Sequence, residues 1–172
     1  MLRQYAYLLA LFCLAGCAQL APPPPYEMQT PFNRADFTAW MGAGPGDIKG
    51  QAFMKTVGGD VKTCAGNPVY LLPDNAFDRE LVTAIRLGRK PDVGRIFNGE
   101  AAGSGRKSIC DASGNFSFES LPVGSWIVIA QVQWGVPNQY FVEQQGGALL
   151  ETVSVSKGTT KVYLTDADFI GR

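Results

Sequence analysis

The chain contains no histidine among its 172 residues. Histidine is the commonest general base near neutral pH and a frequent zinc ligand. Its absence excludes His-ligated zinc peptidases and hydrolases that activate Ser or Cys through an imidazole. Cysteine is scarce, at four residues, and a pair of thiols without histidine is a poor metal set. No metal or cofactor is expected. Net charge is missing too, with 15 Lys+Arg against 15 Asp+Glu, which argues against a nucleic-acid partner. Nor is any apolar run long enough to span a bilayer as a helix. The N-terminal run, Tyr5 to Ala15, has instead the proportions of a signal peptide.

That run comes after Arg3 and ends Leu14-Ala15-Gly16-Cys17. The order of charge, apolar stretch, small residues and cysteine resembles the lipobox of bacterial lipoproteins. The resemblance implies cleavage before Cys17, a diacylglycerol on its sulfur and an acylated new amino terminus. Two or three acyl chains, at ~0.8 kcal/mol per buried methylene, form a stable anchor where one is marginal. A plain cleaved signal with an incidental cysteine is the alternative. Ala18, rather than Asp, resembles the pattern released to the outer membrane. Residues 1–16 are then the signal peptide, and 17–46 a lipidated Cys, a Pro-rich tether and a short docking turn. Pro22 to Pro25 favour an extended polyproline stretch that holds the folded part off the lipid. Phe37, Trp40 and Met41, at i, i+3 and i+4, form one amphipathic helical turn expected to dock on the domain, the alternative being a disordered tether.

Removing residues 1–16 takes away Arg3 alone, leaving 14 cations against 15 acids. The residues beyond the tether are enough for one core and too few for two. The 20 glycines and recurrent turn signals read as all-β. Cys64 and Cys110 are the thiols left to the folded part, and outside the cytoplasm such a pair is expected to form a disulfide. Two buried free thiols are the alternative.

GDIKGQAFMK reads as the first strand, and NPVYLLP as another with Val69 and Leu71 opposite Tyr70 and Leu72. DNAFDRELVTAIRLG carries a helical stripe of Phe77, Leu81, Val82 and Ile85, with Asn75 as N-cap and Gly88 at the stop. Asp111 to Gly114 has the residues of a tight turn, and Phe116 and Phe118 then alternate with Ser117 and Glu119. In SWIVIAQVQW, Trp126, Val128, Ala130, Val132 and Trp134 share one face, while Ile127 and Ile129 need cover on the other. The 75–87 helix or the tether turn is expected to supply it. ALLETVSVS and TTKVYLT are expected to pair as a hairpin around Lys157-Gly158.

GQAFMK, CAGNPVYLLP, CDASGNFSFESLPVGSWIVIAQVQW and VSVSKGTTKVYLT together are similar to the carboxypeptidase regulatory-like domain. The most specific segment is DASGNFSFESLPVGSW. The resemblance implies a seven-stranded, transthyretin-like (prealbumin-like) β-sandwich over residues 47–165, with one helical insertion at about 74–105 and a tail at 166–172. It also implies an accessory, non-catalytic habit. Enzymes on related scaffolds, such as hydroxyisourate hydrolases and intradiol dioxygenases, resemble designs that need His. Ser104, Ser108 and Ser113 have no neighbouring base, and Lys107 beside Ser108 reads as a surface pair. Asp166 and Asp168 are a conceivable acid/base pair and read more simply as solvated carboxylates.

Two features are candidate binding surfaces. Arg86, Arg89, Lys90, Arg95, Arg106 and Lys107 gather cations in and beside the insertion, suited to an acidic protein or an anionic lipid or glycan, with a solvated loop as the plain alternative. Trp134, Tyr140 and Phe141 surround a Pro-containing loop and either bind peptide or glycan or seal the end of the core. The combined reading is an outer-membrane lipoprotein, on the periplasmic side, whose sandwich binds or assembles in the cell envelope. The rivals are a lipoprotein subunit of a type VI-like secretion system and an envelope hydrolase using carboxylates alone.

Overall fold

A computed structural model describes residues 24–99, 101 and 103–170, without the side chains of Val93, Arg95 and Phe97. The signal peptide, Cys17, Pro22, Pro23 and the last two tail residues lie outside the described residues. In chain order the elements are β1 (Gly46–Lys55), β2 (Val61–Thr63), β3 (Pro68–Pro73), α1 (Ala76–Arg86), α2 (Val93–Asn98), β4 (Arg106–Ile109), β5 (Asn115–Leu121), β6 (Gly124–Pro137), β7 (Val142–Val155), β8 (Gly158–Leu164) and β9 (Phe169–Ile170). A 3₁₀ helix at Arg34–Trp40 precedes β1, and another at Asp166–Asp168 precedes β9.

The strands form two sheets. One has β1 at its centre, with β8 parallel to it over Gly46–Ala52 and β5 antiparallel over Gly46–Gln51. β2 continues beyond β5 on the same edge, because the Ala52 N–H donates to Gly114 O while Ala52 O accepts from the Cys64 N–H. The second sheet runs β4-β3-β6-β7-β9, all antiparallel. Alternate residues of both sheets meet in one core. Ile48, Ala52, Phe116, Phe118, Val162 and Leu164 face Val69, Leu71, Trp126, Val128, Ala130, Leu149 and Val153. The architecture is an all-β sandwich with two short helices.

The second face of the five-stranded sheet is apolar at one end, and α1 covers it. Asn75 accepts the Asp78 N–H at 2.9 Å as N-cap, and Gly88 takes φ 69° after the helix. The stripe then sets Leu81, Val82 and Ile85 against Leu72, Ile127, Ile129, Leu150 and Ile170. The chain before β1 also lies on the fold. Phe32, Phe37 and Phe77 form an aromatic cluster over Ala101, and the Trp40 Nε1 donates to Ser125 O at 2.9 Å. The docking turn is a 3₁₀ helix rather than an α-helical turn, so Phe37 and Trp40 point inward while Met41 stays 45% exposed.

Three further expectations need correction. β7 and β8 do not form a hairpin. β8 crosses to the other sheet and pairs with β1, with the Gly158 N–H donating to Pro45 O. Val153 and Val155 face Val162 and Leu164 across the core, and period-2 alternation is the same whether two strands pair or oppose. The described residues hold nine strands rather than seven, since β2 and β9 have three and two residues and are too short to show a period. The insertion holds two helices, not one.

Cys64 and Cys110 form a disulfide across a separation of 46 residues. Cys64 comes just after β2 of the first sheet and Cys110 just after β4 of the second, so the bridge links the two sheets at one edge.

Candidate functional site

The cations in and beside the insertion whose side chains are described do not converge. Arg86 lies at the exposed end of α1, beside Leu150, Asp168 and Phe169. The Arg89 guanidinium stacks on the Tyr26 ring at 4.8 Å, and Lys90 O accepts the Tyr26 N–H. Arg95 belongs to α2 and its side chain lies outside the described ones. Arg106 and Lys107 are neighbours on the edge strand β4 and therefore point to opposite faces. Arg106 donates to the carbonyls of Gly42 and Glu119 and lies over Trp126, whereas Lys107 lies over Tyr70. Arg89 and Arg106 thus hold structure together.

The aromatic group is also divided. WGVPNQYFVEQQGG is a long hairpin rather than a loop, because β6 and β7 stay paired out to Pro137↔Val142. Trp134 packs against the main core, and Gly146, at φ 91°, leaves room for its indole where a Cβ would collide. Trp134 is therefore a core seal. Tyr140, 84% exposed, and Phe141 sit at the tip, where Asn138 Oδ1 accepts both of their N–H groups.

Asp166 and Asp168 have structural partners. Asp166 accepts the Lys55 N–H and Asp168 closes a capping box with Thr165. Among the described residues no three Asp, Glu or Cys side chains come together as a metal set. Asp78 is fully buried, and burial pushes its carboxyl up to about 7, an effect the Asn75 side chain offsets in part and the nearby Asp74 charge reinforces. It is closed off from solvent. A recess of about 500 Å³ along the seam between residues 24–32 and the helices is walled partly by that lead-in segment itself.

The outward face of the first sheet offers a different surface. Because Ile48, Ala52, Phe116, Val162 and Leu164 turn inward, the alternate residues Lys49, Gln51, Asn115, Ser117, Lys161 and Tyr163 must turn out. The ladder sets them in two rows. Tyr163 is level with Gln51 and Asn115, and Lys161 is level with Lys49 and Ser117. They line an open cleft of about 600 Å³ that continues across β5 to Ser108 and Ile109 on β4. Tyr163 is 59% exposed, so its ring offers a flat apolar surface beside amide, hydroxyl and ammonium groups. At the rim, Asp111 accepts the N–H groups of Ser113 and Asn115 and the Asn115 amide, and the Asn115 side chain, then its backbone, draw the carboxyl below its ordinary range. Those bonds and Gly114, at φ 78°, build the Asp111 turn that positions Asn115.

Sequence reasoning missed this face. Its signal was present in the polar residues alternating with buried ones in DIKGQA and TKVYL, but the pairing of β1 with β8 brings them together, and that pairing is not local.

No family model matches the chain, and no curated protein matches it. A solved structure does. It is a Pseudomonas aeruginosa protein described as "a putative carbohydrate binding protein", with a TM-score of 0.65 and 23% identity, covering 78% of this chain and 97% of that one. At that identity the shared property is the fold.

Proposed function

We propose that this chain is a lipoprotein of the cell envelope, anchored through Cys17 at the periplasmic side of the outer membrane. Its sandwich, of the transthyretin-like, carboxypeptidase regulatory-like kind, acts as a non-catalytic module that binds saccharide on the outward face of β8, β1 and β5. The observation that carries the binding reading is the cleft itself. An exposed tyrosine ring stands level with Gln51 and Asn115 on a ladder whose other face is locked into the core, so the surface is preorganised. Rings of this type stack on the C–H face of a sugar while neighbouring amides and hydroxyls bond its hydroxyl groups. The description of the Pseudomonas protein agrees with this reading.

Two measurements test it. A panel of soluble oligosaccharides titrated into the detergent-solubilised protein should include binders, and Tyr163→Ala should abolish their binding while Tyr140→Ala leaves it intact. Absence of any saccharide binding, or loss with Tyr140→Ala alone, would overturn the site. For the anchor, wild type should partition into the detergent phase and Cys17→Ser should leave an uncleaved precursor. A fully soluble, unlipidated wild-type chain would end that part of the reading.

A further inference from the structure

Resting on the saccharide reading, we infer that the ligand is acidic, a uronic-acid-containing glycan whose carboxylate sits between Lys49 and Lys161. The two lysines are register partners on the parallel strands β1 and β8, so their Cα atoms are one strand spacing apart, about 4.8 Å. Both side chains are exposed and both line the cleft. Neither makes an ion pair or hydrogen bond among the described residues, unlike Lys62, which pairs with Asp60, and Arg79, which pairs with Asp74. The acids on the same side make no ion pair with them. Asp111 at the rim is held by the turn it builds, Asp47 accepts the Ser120 N–H at 3.0 Å, and Glu119 lies outside the cleft lining.

Like charges at directly paired positions of a sheet destabilise it. One carboxylate placed between the two ammonium groups turns that repulsion into two charge-assisted contacts. Apart from the Asp111 carboxylate at its rim, the rest of the cleft is neutral. Gln51, Asn115, Ser117 and the Tyr163 ring lie within two residues of the lysine pair along their strands, which fits a ring bearing one charged group and several hydroxyls. A phosphate is a poorer match, because the cleft lining contains no arginine fork and no helix N-terminus to meet its extra oxygens.

The test compares chemically matched ligands. Oligomers of galacturonate, glucuronate and mannuronate, each with its neutral methyl ester, and glucose 6-phosphate are titrated calorimetrically into the detergent-solubilised full-length protein at low and high salt. At least one acid should bind about tenfold more tightly than its ester at low salt, with the advantage shrinking as salt rises. Lys49→Gln with Lys161→Gln should bring acid and ester to equal affinity. If every acid matches its ester, or if the double variant keeps the preference, the inference fails and the saccharide reading stands. Preferential binding of the sugar phosphate overturns the carboxylate assignment. If no saccharide binds at all, both the inference and the reading fall.

Discussion

The Glu80 carboxylate in the middle of α1 accepts the Tyr26 hydroxyl at 2.9 Å, across 54 residues of sequence. The same carboxylate takes the N–H groups of Gln29 and Thr30, each at 2.6 Å. Desolvation pushes its pKa up, but the bonds from Gln29, Thr30 and Tyr26 outweigh it and hold the group at about 2. With Arg89 over the Tyr26 ring and the Tyr26↔Pro91 bridge, this fastens the start of the described chain to the helical layer. Glu80→Ala should cost about 1–2 kcal/mol, less than three buried charged bonds because the site is partly solvated. Hydrogen exchange should show the Gln29 and Thr30 amides losing protection while the β1 amides keep theirs. Because the folded pKa is depressed, this contribution is present above the unfolded value of 4.5 and is lost as pH falls toward 2.

Asp78 imposes the opposite dependence. Its oxygens lie buried without a well-formed hydrogen bond, and its pKa is raised from 3.8 to about 7. The folded chain keeps a proton there that the unfolded chain releases. The associated stability is full below pH 3.8, falls as pH rises, and is gone above about 7. At ~1.4 kcal/mol per pH unit over that interval, the loss is on the order of 4 kcal/mol. Asp78→Asn should remove this slope, giving a chain more stable than wild type at pH 8 and similar to it at pH 4. Urea denaturation midpoints at the two pH values check this, and an unchanged slope in the variant would place its source elsewhere.

Leu81 is buried between α1 and the sheet with Ile127 and Leu150. Leu81→Ala should cost about 2–4 kcal/mol through lost transfer and the cavity left behind. Chemical denaturation measures it, and a cost below ~0.5 kcal/mol, typical of surface positions, would mean the helix is not a packed layer.

The Cys64–Cys110 bridge should leave no titratable thiol on those two residues in denatured, unreduced protein. Replacing both by Ala should lower stability by about 2–4 kcal/mol and lower the melting temperature, because the unfolded chain regains the freedom of the loop. Far-ultraviolet circular dichroism should be unchanged, since the core alternation does not depend on the bond.

Much of the fold is written in local periodicity. The alternation of Val69/Leu71 with Tyr70/Leu72, the Trp126–Val132 face, and the Asn75-capped stripe of Phe77, Leu81, Val82 and Ile85 each record which side of an element meets apolar neighbours, and the structure buries those sides. The need of Ile127 and Ile129 for cover, met by α1, has the same origin, because an exposed apolar face carries a free-energy cost whatever the topology. Cys64 and Cys110 were the thiols left over, and they are joined.

The inward or outward sense of each residue is therefore what the sequence by itself determined. Which strand lies beside which was decided by tertiary structure, because pairing depends on backbone hydrogen bonds that every residue but proline can make alike. The Lys157-Gly158 break read as a hairpin, yet β8 crosses the sandwich to join β1, and only that crossing sets Lys161 beside Lys49 and Tyr163 beside Gln51. In the same way, Arg86, Arg89, Arg106 and Lys107 belong to one run of cations in composition but are scattered in space, since a helix end, a stacked ring and two faces of β4 carry them apart. A binding surface is a property of neighbours in space, and in a sandwich most of those neighbours are distant in the chain.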